Sequence, residues 1–157
     1  MLRIGKLTDY ATVLMTCLAG RPGEVLAASE LAEHARLEMP TVSKLLKQLA
    51  GAGLVESRRG IRGGYRLARP ADQISILQIV VALEGPLGMT ECSAVQGSCG
   101  HEPHCPVQGN WRRISRVIES ALASVSLAQM LQPDSGLPDT KHGARQPRVA
   151  ALRASVV

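Results

Sequence analysis

Phenylalanine is absent from this 157-residue chain, and one Trp and two Tyr bring the aromatic share to only 2%. That shortage excludes a base-stacking platform for single-stranded nucleic acid, which needs repeated aromatic faces. Long apolar runs are missing too. No stretch reaches the roughly 18 consecutive apolar residues of a spanning helix, so no membrane partner is expected. The basic residues Arg3 and Lys6 ahead of the apolar run 10–19 resemble a signal peptide only superficially. Asp9 abuts that run, no A-x-A site follows, and the run has helical periodicity of its own. C-x-x-C pairs, a nucleophile–base arrangement and a glycine-rich phosphate loop are likewise lacking, which argues against an enzyme and against an ordinary zinc finger. No internal repeat is present. These exclusions leave a soluble cytoplasmic protein with reduced thiols as the expectation.

What is present is 45% hydrophobic residues, enough for a core, and a formal charge of +5. The charge is clustered. Residues 1–70 hold eleven Lys/Arg against six Asp/Glu, residues 71–132 three against five, and residues 133–157 four against two. A basic amino-terminal half points to a polyanionic partner.

The apolar spacing organises that half. Thr8–Ala19 is expected as a helix that starts at Thr8-Asp9 and buries Tyr10, Val13, Leu14, Cys17 and Leu18. Gly20-Arg21-Pro22-Gly23 stops it. Ala28–Ala35 is a second helix. Pro40, well suited to a first helical turn, opens a third that runs to Ala50 with Val42, Leu45, Leu46 and Leu49 inward. Leu54–Arg58 and Tyr65–Leu67 then read as strands around the turn Arg59-Gly60-Ile61-Arg62-Gly63-Gly64. Helix, short turn, helix and basic hairpin is the order of a winged helix-turn-helix.

Further on, Ile76–Glu84 is ambiguous by pattern, since Ile79-Val80-Val81 would also suit a strand, and Ser75 as a cap with Gly85-Pro86 as a stop decides for a buried helix. Residues 88–110 read as a loop rich in glycine and proline. From Trp111 to Leu131 a helix returns, its seam Trp111, Ile114, Ile118, Ala121, Val125 and Ala128 stepping by three and four toward a second copy of the chain. The fold class is thus mainly α with a small β-hairpin wing. Its divisions are a DNA-binding domain over 1–86, a cysteine-rich loop over 87–110, a dimerisation helix over 111–132 and a flexible tail over 133–157.

Two constellations carry chemistry. On the outward face of the third helix, Thr41, Ser43, Lys44 and Lys47 suit a major groove, while Arg58, Arg59 and Arg62 of the hairpin suit phosphates or the adjacent minor groove. Each lysine alone is an ordinary solvated residue; the set, in this fold order, points to double-stranded DNA. The second constellation is Cys92, Cys99 and Cys105, with His101 and His104 in the same loop and Cys17 far away. Three thiols there are suited to an iron–sulfur cluster, which needs four protein ligands. Zinc held by Cys3His and a thiol–disulfide switch stay open as rivals.

Over roughly residues 1–132 the chain resembles the winged-helix iron–sulfur transcriptional regulators, the IscR/NsrR-like family. The segments that carry the resemblance are KLTDYATVLMTCLA, VSKLLKQLAGAGLVESRRGIRGGYRL, and the three-cysteine loop with the helix behind it. The opening LTDYATVLM is most similar to regulators of the SUF iron–sulfur assembly system. The resemblance implies a homodimer on a palindromic operator, with Cys92, Cys99 and Cys105 holding a 2Fe–2S cluster or, second, a 4Fe–4S cluster. The first cysteine gap is one residue longer than in some members. Gln108 stands where the IscR branch has a ligating histidine, so that ligand does not carry over. Asp9 matches an aspartate that, in the NsrR branch, ligates from the partner subunit; His104 is the alternative. The implied function is cluster-dependent repression of iron–sulfur assembly genes. The other readings are a nitric-oxide- or redox-sensing repressor and a zinc-stabilised DNA-binding protein.

Overall fold

The computed structural model describes residues 3–132; the expected tail, 133–157, lies outside the described residues. The first helix, α1, spans Lys6–Ala19, two residues longer than the sequence predicts. Thr8 does not cap it. Its hydroxyl is buried (1% exposed) and donates to Glu84 Oε1 at 2.6 Å, and the same oxygen accepts the Gly5 N–H at 2.8 Å. A carboxylate from far along the chain thus takes the role expected of a local cap, at the helix end where negative charge is favoured. The buried stripe is correspondingly rotated: Thr8, Ala11, Leu14, Met15 and Leu18 face inward, while Val13 is exposed and Tyr10 and Cys17 lie at the margin.

Helix α2 covers Ala28–Ala35, as its pattern predicts, and stops at Arg36, which takes a left-handed conformation (φ 53°). Helix α3 covers Met39–Gly51 with Pro40 in its first turn, and Val42, Leu45, Leu46 and Leu49 are fully buried. Strands β1 (Val55–Arg58) and β2 (Gly64–Leu67) pair antiparallel, with Val55 opposite Leu67 and Arg58 opposite Gly64. Leu26 adds an isolated bridge, exchanging backbone hydrogen bonds with Tyr65 at 2.9 and 2.8 Å. A side chain at Gly64 would collide with the Leu26 carbonyl, so this close approach requires glycine.

Helix α4 (Ile76–Glu84) begins with the capping box Ser75–Gln78 and ends at Gly85, matching the sequence expectation. The segment read as loop contains the single helical turn α5 (Glu91–Ala94) and a 3-10 turn at Glu102–His104. Helix α6 spans Gln108–Ser124 and α7 only Leu127–Met130. The continuous helix expected to Leu131 is therefore broken at Val125-Ser126. The cause is tertiary. Ile76 N–H donates to the Val125 carbonyl (2.9 Å), Leu127 N–H donates to the Ile74 carbonyl (2.7 Å), and Ser126 restarts the helix with a capping box of its own to Gln129. Leu127 then enters the same core as α1 and α3, with no exposed surface.

The seam on α6 also differs from its prediction. Trp111, Ile114 and Val117 are exposed along one side, whereas Ile118, with Leu122, lines a cavity shared with Val80 and Pro86. Val117 rather than Ile118 continues the outward stripe, because α6 turns Ser115 and Ile118 toward its own chain.

Candidate nucleic-acid interface and cysteine loop

The interior spacing of α3 dictates what its outer face presents. With Val42, Leu45, Leu46 and Leu49 buried, Ser43, Lys44 and Lys47 are exposed and Thr41 is half-buried beside the first turn. Arg58, Arg59 and Arg62 are all exposed at the end of the hairpin. Across the strands, Glu56 pairs with Arg66, which donates from Nε at 2.8 Å and from a terminal nitrogen at 2.7 Å. The hairpin's only carboxylate is thereby neutralised within the sheet. Among the described residues the ion pairs are Arg21–Glu30, Glu56–Arg66 and Glu102–Arg112, so Lys44, Lys47, Arg58, Arg59 and Arg62 have no carboxylate partner. The result is a helix and a wing tip whose positive charge is uncompensated, the footprint required for a phosphate backbone.

Two cations escaped the sequence reading. Lys6, Tyr10, Arg36 and Thr41 line a hollow of about 630 Å³ at the junction of α1, α2 and α3, together with Glu33 and Glu38. Lys6 lies 5.4 Å from the centre of the Tyr10 ring. The available signals were the position of Lys6 one turn before Tyr10 and that of Arg36 between two helices.

The cysteine loop is held by polar contacts. Cys92, on α5, is buried; Cys99 and Cys105 are half-buried; all are free thiols. Between the latter two, Glu102 accepts the Gly97 N–H at 2.6 Å, the Gln108 amide and the Arg112 guanidinium. Arg112 also donates from Nε to the Cys92 carbonyl at 3.3 Å. One carboxylate–guanidinium pair, anchored on α6, therefore ties together the backbone around all three cysteines. Sequence reading missed Glu102, because a lone glutamate in a loop is ordinarily solvated. Gln108, at the start of α6, is used to hold Glu102. A hollow of about 620 Å³ opens beside Cys99, Glu102, Gln108 and Arg112.

The three sulfurs do not converge within the chain. Among the described residues no group of three or more His, Cys, Asp or Glu side chains is placed to hold a metal ion. Cys92 lies on the turn of α5, which packs against α6. Asp9 is exposed in the first turn of α1, and His101 and His104 are exposed in the loop. Cys17 belongs to none of this. Burial on α1 pushes its thiol pKa up, partly offset by the nearby Arg21 guanidinium and a backbone hydrogen bond.

No helix among the described residues is long and apolar enough to cross a membrane. An HTH-type transcriptional regulator of Neisseria meningitidis is 36% identical over 104 residues, covering 66% of this chain and 70% of the relative. The HTH-type transcriptional regulator IscR of Aliivibrio salmonicida is 31% identical over 131 residues, 80% of this chain and 77% of its own. Among solved structures, T. potens IscR superposes with a TM-score of 0.62 at 30% identity, covering 83% of this chain and 86% of the other. CymR, described as the global cysteine regulator of B. subtilis, gives 0.65 at 28% identity over 83% of this chain and 97% of the other. These relatives are transcriptional regulators rather than enzymes. Residues 4–133 match the Rrf2 family, described as iron-dependent transcriptional regulators, and the chain belongs to that family.

Proposed function

We propose that the chain is a homodimeric repressor that grips a palindromic operator with α3 and the wing, and that an iron–sulfur cluster at Cys92, Cys99 and Cys105 governs its grip. The genes it represses are those for iron–sulfur cluster assembly, of the SUF type. The observation that carries the reading is the pairing, in one chain, of an uncompensated cationic helix and hairpin with three free thiols on a loop fastened to α6. The donor set fits such a cluster in kind, since thiolates are its usual ligands. It does not fit in placement, because the sulfurs are apart. Loading the loop therefore requires the ties made by Glu102 to rearrange, and Asp9 of the second copy, or His104, completes the ligand set. A bound cluster supplies a centre whose occupancy follows iron supply and oxidation.

The chain's own residues provide the rest. Trp111, Ile114 and Val117 offer α6 an apolar face for a second copy. At its other end, α6 passes into Val125–Leu127, which is bonded to Ile74 and Ile76 and packed into the DNA-binding core. A change in how α6 pairs thus reaches the spacing of two α3 helices through backbone bonds, and a ligand that prefers one spacing shifts the population.

The test is purification without oxygen, followed by assay of iron, acid-labile sulfide and zinc. Iron with sulfide in the parent, lost in Cys99→Ala and retained in Arg59→Ala, is the expected result. Operator binding should be weakened in both variants, in Arg59→Ala by roughly tenfold with the cluster intact and in Cys99→Ala through loss of the cluster. Colourless protein with stoichiometric zinc would favour the zinc-stabilised reading instead.

A further inference from the structure

Ile61 stands out on the DNA-facing side of the molecule. It exposes its whole surface (108% relative to an extended reference) at the tip of the wing, more than any other large apolar residue described. Its immediate surroundings are cationic: Arg58 and Arg59 precede it, Arg62 follows it, and among the described residues none of the three has a carboxylate partner. The turn that carries it is closed by a hydrogen bond from Gly63 N–H to the Gly60 carbonyl at 2.9 Å, which puts Ile61 and Arg62 at the two corner positions. A side chain at Gly63 would meet the Arg58 carbonyl at 2.5 Å and the Gly60 carbonyl at 2.8 Å. The base of the wing is fixed by the Leu26–Tyr65 bridge. The hairpin is therefore stiff, and among the described residues nothing covers the isoleucine.

An isolated exposed apolar side chain ordinarily calls for no explanation. This one sits where three arginines would deliver it into a minor groove, whose narrow, negative channel attracts guanidinium groups. Proteins that enter that groove commonly insert an apolar side chain between base steps and kink the duplex. We propose that Ile61 is such a wedge, entering the minor groove beside the recognition helix and unstacking one base step. The inference rests on the DNA-binding reading above and extends it: Arg58, Arg59 and Arg62 supply attraction, and Ile61 supplies sensitivity to how easily the flanking sequence deforms. Flexible pyrimidine–purine steps at that position are favoured over stiff tracts.

The experiment uses full-length protein, prepared without oxygen, and a duplex that the protein selects from a randomised library. Ile61→Ala, Ile61→Leu and Arg59→Ala are compared with the parent. Ile61 is fully exposed, so its replacement leaves folding intact. The wedge predicts that Ile61→Ala weakens binding about tenfold, from the lost burial of an isoleucine, with the slope of affinity against salt unchanged because no charge is removed. It also predicts that 2-aminopurine, placed in turn along the flank, brightens at one step with the parent and with Ile61→Leu, and not with Ile61→Ala. A bend of roughly 20° or more should be lost in the alanine variant. Unchanged affinity, or weakened affinity without a brightened step in the parent, overturns the wedge. So does a change in sedimentation of the free protein, which would assign the tip to contact between copies. If Arg59→Ala also binds normally, the DNA-binding reading itself fails; if Arg59→Ala is weakened and Ile61→Ala is not, only the wedge fails.

Discussion

The DNA-binding half and the cysteine segment are built from different forces. The core cluster takes its buried members from Ala11 to Ile79 and from Leu127, and includes nothing between residues 84 and 126. There the apolar effect holds α1, α2, α3 and α4 together, and hydrogen bonds finish what packing has already decided. Residues 85–107 have the reverse arrangement, with Cys92 as their one buried apolar side chain and Glu102, Arg112, Ser98 and Ser115 supplying the ties. A segment with few apolar contacts and exposed hydrogen bonds opens at low free-energy cost. A firmly packed half and a loosely tied loop are thus separated within one chain, with α6 as the link between them.

The comparison breaks most visibly at Leu127, which belongs to the firm region although it lies beyond the loop and α6. Leu127→Ala should cost about 2–5 kcal/mol, a fall in Tm of roughly ten degrees, and the loss should be shared by α1 and α4. Thermal unfolding followed by circular dichroism checks this. A melting curve identical to the parent's would mean that the half before residue 86 is self-sufficient and that the return of the chain after α6 is incidental.

The opposite region is probed by Glu102→Gln. The carboxylate accepts three hydrogen bonds and its side chain is 12% exposed, so removing its charge leaves Arg112 without an ionic partner. The expected local loss is about 1–3 kcal/mol, read as faster amide exchange over residues 91–107. Protection in α3 and the thermal midpoint of the DNA-binding half should stay within about 0.5 kcal/mol of the parent. Equal acceleration in both regions would show that they unfold as one unit.

The same division explains what could be read from the residues alone. Boundaries of α2, α3 and α4 were legible because their signals are local: Pro40 in a first turn, Ser75 as a cap, Gly85 as a stop. So was the apolar face of α3, and with it the outward Ser43, Lys44 and Lys47. The break at Val125-Ser126 was not legible, because the extended backbone there is imposed by Ile74 and Ile76, far upstream in the chain. Neither was the start of α1, since its cap is Glu84 rather than a neighbour. In the loop the three thiols were plain to see, yet the backbone around them is tied by Glu102 and Arg112, a pairing across ten residues that no periodicity announces.

A smaller effect separates the thiols themselves. Cys17 lies at the edge of the firm core, where burial raises its pKa, and Cys99 and Cys105 lie half-buried in the loop. Only the thiolate reacts with iodoacetamide, so in cluster-free protein near neutral pH the half-buried Cys99 and Cys105 should be alkylated before Cys17, whose pKa is raised, and before Cys92, which is buried. Mass spectrometry of briefly labelled protein reads the order. The raised pKa also has a sign for stability. The folded state holds the Cys17 proton more tightly than the unfolded chain does, so this contribution is complete below the ordinary thiol range and is lost as pH climbs through the raised value. Cys17→Ala should therefore flatten the alkaline limb of the stability profile while leaving the neutral region nearly level. Labelling of Cys17 as fast as Cys99 would place it outside the firm region and move the boundary between the two halves into α1.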